Sequence, residues 1–450
     1  MIGIALARVL GPDEFGIFAI ATITLLAVLS FNELGVSLAV IRWRDAPSTI
    51  APTINTVAVA SSAVLTAAMV LGAPLIATAL GDVRATSVVQ VLAVSVIING
   101  LVATPAAILQ REFMQKERTI ADQVNTWLGA GLSLAFALLG WGAMSLAIGR
   151  LIASIVFSLM IWHWSPVPYR FGWDRAVAGR LMRFGLPLAA SSIVVFASGF
   201  ADQIVVGSFL GAQALGFYVL AFNLASWPVS IFSQPIRTVA PAAFSALKGE
   251  PERMNRNFVR ILALLSSVAL PACLAISGAA GPVIGFVYGE EWQPAADVLL
   301  WMAAYAAVRI WFELAYDYLV VHGKSGIVLL IQLAGFAVAL PAMLLVVVPF
   351  AQAGVAAVQF GVGLVVIAPM YVLSLARRGI TLRSLTAAVA LPTLTGLIVW
   401  AAARVLSERI TIDLFAAAAA ATVSVVGISG LAYWQRKNLG LFRSALRRGA

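Results

Sequence analysis

The chain is a succession of apolar runs of about 20 residues separated by short connections, a length that matches one helical crossing of bilayer hydrocarbon. In lipid the backbone must satisfy its own hydrogen bonds, which leaves helices and closed barrels. Barrel strands alternate apolar and polar residues, whereas these runs are continuously apolar, so helices are expected. The composition agrees: 62% of the 450 residues are hydrophobic and 11% charged, where a soluble domain carries about a quarter charged.

Thirteen candidate spans centre on residues 17–33, 51–75, 88–108, 120–139, 143–163, 184–206, 215–235, 258–280, 294–320, 325–347, 353–375, 384–403 and 412–433. The opening MIGIALARVL is too short to cross and lacks the basic region and cleavage site of a signal peptide. It reads as the tail of a truncated first helix, which makes 14 crossing elements. Of the 29 Lys and Arg, 23 fall on one set of alternating connections and three, Arg84, Arg404 and Arg409, on the other. That asymmetry predicts a multi-pass protein with a cytoplasmic C-terminus. It also accounts for the net charge of +10 without a nucleic-acid partner.

Cys273 is the only cysteine, and His163 and His322 stand far apart, so neither a disulfide nor a Cys/His metal centre is expected. No cofactor is expected either, as there is no G-x-x-x-x-G-K-[ST] loop. The outer connections are too short to build a catalytic platform, which argues against an enzyme.

The segment VLGPDEFGIFAIA at 9–21 aligns without gaps on FLGAQALGFYVLA at 209–221. Leu10/Leu210, Gly11/Gly211, Gly16/Gly216 and Ala21/Ala221 are identical, and the glycines suit tight hinges between long helices. Gly142 and Gly354 are expected in similar outer turns later in each half. The fold class is therefore an all-α membrane protein, a transporter-like bundle of 14 helices. It consists of two pseudo-symmetric six-helix halves plus two C-terminal helices. The expected divisions are a half-bundle at 1–164, a cytoplasmic linker at 165–183, a second half-bundle at 184–376, and two helices with a basic tail at 377–450.

ARVLGPDEFG at 7–16 and DQIVVGSFLGAQALGFY at 202–218 resemble the paired signatures of Wzx-type polysaccharide flippases. These belong to the multidrug, oligosaccharidyl-lipid and polysaccharide exporter superfamily. PIRTVAPAAFSAL at 235–247 resembles that family's stretch after the eighth helix. The resemblance implies a protein of the bacterial inner membrane that flips undecaprenyl-pyrophosphate-linked oligosaccharide, driven by an ion gradient. It implies as partners membrane lipids, a polysaccharide polymerase and a chain-length regulator. Two other functions remain open: a drug or metabolite-cation antiporter of the same fold, and a non-transporting scaffold for polysaccharide assembly.

Charged residues inside spans are the natural functional candidates, because each costs a few kcal/mol at mid-bilayer. Arg309, Glu313 and Asp317 recur at i, i+4 and i+8, one helix face over ~12 Å of rise. Such a stripe either lines a polar substrate path or neutralises itself as an ion pair, with Asp317 lacking an evident partner. Arg150 is a further cavity candidate. Arg42, Arg111 and Arg237, near inner helix ends, have planar forks suited to an anionic head group, or else serve topology and lipid contact. Asp202 and Glu33 are the candidates for ion coupling.

Overall fold

The computed structural model describes residues 2–32, 36–43, 45–245, 247 and 249–435. Glu33 and the basic tail from Arg436 lie outside them. Among the described residues there is no strand, as expected of segments that must close their own hydrogen bonds in lipid. The chain divides into two compact units, Met1–Gly216 and Phe217–Ala450.

The first unit contains α1 (Ile2–Asn32), α2 (Val36–Arg42), α3 (Pro47–Ala79), α4 (Ala85–Arg111), α5 (Gln115–Leu138), α6 (Ala143–Trp164) and the beginning of α7 (Arg175–Pro228). Helices α3 and α4 pack as a pair, as do α5 and α6, and α4 also touches α1, α2 and α6. Ile50, Ile54, Ile108 and Leu181 join α3, α4 and α7 in one apolar cluster. Of the expected linker 165–183, residues 165–174 are non-helical and the remainder forms the first turns of α7. The non-helical part is stitched to α3. Asn55 Nδ2 donates to the Arg170 carbonyl at 2.9 Å, Thr56 Oγ1 to the Gly172 carbonyl at 2.8 Å, and the Asp174 amide to Thr53 Oγ1 at 2.9 Å. The Asp174 carboxylate accepts from the Ala176 amide at 2.8 Å, giving α7 an acidic N-cap.

The second unit holds α8 (Gln234–Ser245), α9 (Pro251–Gly278), α10 (Ala280–Tyr288), α11 (Ala295–Val321), α12 (Ser325–Val362), α13 (Ala368–Ala376), α14 (Leu382–Arg409) and α15 (Asp413–Trp434). Helix α11 is its innermost element: 67% of its apolar window is buried, against 17% for the window in Ser325–Ala376. It packs on α8, α9, α10, α12 and α13, and Tyr318 seals its end against Phe244 and Phe258. Two π-helical turns, Val229–Ser233 and Gly363–Ile367, also lie against it. Gln435, just past α15, is buried and donates to Ser267 Oγ on α9 at 2.7 Å.

Ten helices among the described residues are long and apolar enough to cross a membrane, against 14 expected crossing elements. Three of the ten hold two successive expected elements joined across a non-helical residue: Gly11, Gly211 or Ala351. Helix α5, with Asp122, Gln123 and Asn125 in its first half, is not among the ten. The count of 14 remains an expectation.

The repeated glycine turns have matching backbones. Gly11 sits at φ 69, ψ 174 and Gly211 at φ 86, ψ −178, a region essentially restricted to glycine. The later pair departs from expectation. Gly142 has φ 55, ψ −140, but the matching conformation in α12 belongs to Ala351, at φ 51, ψ −152, and not to Gly354. Gly354 is buried, and a Cβ there would press on Phe350 at 2.5 Å; this glycine serves packing.

Candidate functional site

The stripe on α11 supplies three groups of a four-group ion cluster. Arg309 Nε donates to Glu313 Oε1 at 3.1 Å, the i, i+4 contact that the spacing predicts. Asp317 has a partner after all: Arg237 of α8, with Nε–Oδ2 at 3.0 Å and Nη2–Oδ1 at 3.3 Å. Arg237 Nη1 also lies 3.7 Å from Glu313, and Ser233 Oγ donates to Glu313 at 2.8 Å. Ser233 and Arg237 thus face Glu313 and Asp317 in register, both pairs at i, i+4.

The π-turn Val229–Ser233 sits immediately before α8 and sets that register. A π-turn takes one more residue than an α-turn and so rotates the succeeding helix about its axis; such turns are frequent at functional sites. Two guanidiniums and two carboxylates sum to zero charge, so the cluster is neutral within an apolar bundle. The arginine side chains are 29% and 31% exposed, the carboxylates 8% and 13%. The guanidiniums are therefore the more accessible part of the cluster and the carboxylates the more covered part.

The other candidates lie elsewhere. Arg150 is on α6 in the first unit, and no described ion pair or hydrogen bond engages its guanidinium. Asp202 on α7 is buried, and its Oδ1 accepts from the Gln203 amide at 2.9 Å. Arg42 ends α2 and is exposed. Arg111, a candidate either for head-group capture or for topology and lipid contact, donates to the Val40 carbonyl at 2.8 Å and the Asp45 carbonyl at 3.0 Å. It caps the last turn of α2, a role favoured by the negative end of the helix dipole.

The hinge glycines Gly16 and Gly216 pack reciprocally within the first unit: a Cβ on Gly16 would overlap the Ala212 carbonyl, and one on Gly216 the Pro12 carbonyl. Around the first turn the acids are engaged as well. Arg84 binds Asp13 through both Nη atoms, at 2.7 and 2.8 Å, and Asp82 through Nε and Nη2, at 3.0 and 2.6 Å. Hydrogen bonding from Arg84 holds the Asp82 carboxyl below its ordinary value, and the bonds to Asp13 and Asp82 raise the Arg84 guanidinium above its own. Glu14 Oε2 accepts from the Ala143 amide at 2.6 Å, capping α6. Sequence reasoning counted Arg84 only as a topological charge and missed Ser233. The one clue to Ser233 was its i, i+4 spacing from Arg237.

A many-helix membrane bundle is the class this architecture defines. It is similar to the solved structure of the lipid II flippase MurJ in an inward closed conformation, at TM-score 0.79, 13% identity and 97% coverage of each chain. It is also similar to an inward-facing multidrug resistance MATE family transporter of the MOP superfamily, at TM-score 0.66 and 16% identity over 84% of this chain and 94% of that one. Residues 5–297 match the family described as polysaccharide biosynthesis protein, and the chain belongs to that family. It is 22% identical over 306 residues to the lipopolysaccharide biosynthesis protein WzxC of Escherichia coli K12, covering 68% of this chain and 62% of that protein. It is 21% identical over 294 residues to the succinoglycan biosynthesis transport protein ExoT of Rhizobium meliloti 1021, covering 65% and 60%. The match thus spans about three-fifths of these relatives' length.

Proposed function

We propose that this protein flips undecaprenyl-pyrophosphate-linked oligosaccharide repeat units across the bacterial inner membrane for exopolysaccharide or lipopolysaccharide synthesis. The observation that carries the reading is the Arg237–Glu313–Arg309–Asp317 cluster: a neutral network inside apolar helices, with its arginines the more accessible part. A guanidinium fork matches phosphate oxygens, so these arginines suit a diphosphate better than the organic cation of an antiporter. A scaffold would not need a polar cluster on its innermost helix. The family match and the names of the relatives support the polysaccharide pathway. The lysine and arginine asymmetry supports a cytoplasmic C-terminus. Transport draws on an ion gradient, with Asp202 the described candidate for coupling and Arg150 a second cavity cation. A polymerase and a chain-length regulator are the partners on the far side.

The test measures polysaccharide export and membrane abundance together. Arg309→Ala should abolish export at near-normal abundance, because Glu313 keeps Arg237 and Ser233 as partners. Arg309→Lys should restore only part of it, since lysine keeps the charge but loses the fork. Arg309→Leu with Glu313→Leu should stay abundant, because Arg237 and Asp317 remain paired, and should not export. Full export in that double variant would remove the cluster from the mechanism.

A further inference from the structure

The first turns of α7 carry a basic face whose spacing goes beyond what a topological charge bias requires. Arg175, Gly179 and Arg183 recur at i, i+4 and i+8 and so share one helix face. With Arg180 and Phe184 they line an open cleft of about 570 Å³. Basic side chains at the start of a helix oppose its dipole, which favours acids there. Among the described residues Arg175 and Arg183 have no carboxylate partner. Arg180, one position round the helix, is fixed at 2.8 Å to Asp45 and lies 3.8 Å over the Trp43 ring.

Gly179 is the second observation. It sits inside the helix, exposed, and a Cβ there would meet nothing within 4 Å. Glycine weakens a helix interior relative to alanine, and no close neighbour requires it here. What the missing side chain provides is a notch, with one arginine a turn before it and one a turn after.

We infer that the Arg175–Gly179–Arg183 face of α7 binds the diphosphate of a lipid-borne head group, seated in the notch with one guanidinium on each phosphate. The ladder of two forks matches two linked phosphates, whereas the single phosphate of a bulk phospholipid engages only one. The site occupies the first turns of the helical run Arg175–Ser245, which holds a stretch apolar enough to cross a membrane, and basic residues at the end of such a run suit the level of head groups. Phe171 and Trp173, both exposed, immediately precede it and suit the same interfacial level. The inference rests on the substrate class proposed above and adds a separate docking point, distinct from the cluster on α11.

The experiment uses the full chain in phosphatidylcholine nanodiscs and measures binding of farnesyl-diphosphate-linked N-acetylglucosamine, with phosphatidylglycerol as competitor. Gly179→Leu fills the notch without changing charge and should raise the melting temperature while weakening binding at least tenfold. Arg175→Gln and Arg183→Gln should each weaken it about tenfold, the loss of one charge-assisted contact. Phosphatidylglycerol should compete only at large excess. Wild-type affinity in Gly179→Leu overturns the site even if Arg309→Ala still abolishes export, which leaves the flippase reading standing. Equal competition by phosphatidylglycerol overturns the diphosphate assignment and makes this a general anionic-lipid surface. No binding to the wild type overturns both this site and the proposed substrate.

Discussion

Arg84 with Asp13 and Asp82, and Arg237 with Glu313, Arg309 and Asp317, are both knots of guanidinium and carboxylate, yet their surroundings differ. The Arg84 side chain is 56% exposed, and the knot joins the first hinge turn to the α3–α4 connection. The second knot joins α8 to the innermost helix of its unit, with Asp317 almost fully covered. Exposed ion pairs contribute about 0–1 kcal/mol because water already solvates each charge. Removing one partner of a buried pair strands the other, at about 3–5 kcal/mol. Shorter distances in the exposed knot therefore do not make it the stronger one; burial decides.

The largest effect is expected from Arg237→Ala, which strips Asp317 of its partner. It should destabilise the protein by about 3 kcal/mol, seen as a fall in membrane abundance and in melting temperature in detergent. Unchanged abundance would mean that water reaches Asp317 and that the two knots are energetically alike. Ser233→Ala comes next: Glu313 loses one charge-assisted hydrogen bond but keeps two arginines, so about 1–2 kcal/mol is expected in the same melt.

Arg84→Ala should change stability by less than about 1 kcal/mol, and the difference from wild type should shrink further in 1 M salt. A salt-independent loss above 2 kcal/mol would place this knot with the buried one. The smallest effect concerns acid. The Asp82 carboxyl is depressed in the folded state, so its contribution is present above the unfolded value of about 3.9 and is lost as pH falls through the folded value. The gap between wild type and Arg84→Ala should hold constant from pH 7 to 5 and close only below about 4.

Much of the fold was legible because lipid imposes a length on each apolar run and a charge bias on the connections. The turn pair at Gly11 and Gly211 was legible from the gapless repeat. The Arg237–Asp317 bond was not, as it joins residues 80 apart through a π-turn that no residue type announces. Ala351 was missed for a related reason. The neighbouring Gly354 is the expected residue for a positive φ, but the strained backbone falls on an alanine and the glycine makes room for Phe350. Arg111 adds a role that its sequence position does not announce, since it also donates to carbonyls at the end of α2.

The reciprocal turns carry a consequence for which of their positions can be repaired after a mutation. The first copy carries tethers, Asp13 to Arg84 and Glu14 to α6, while the second has Gln213 and Ala214 at the same two places. The two turns share a backbone conformation although the side chains at those positions differ. The glycines do not. What crowds Gly16 and Gly216 is the main-chain carbonyl of Ala212 and of Pro12, and trimming a neighbouring side chain does not move a carbonyl. A lesion at either glycine therefore has no simple suppressor at its contact, so these two sites lose the epistatic freedom that the rest of the repeat enjoys.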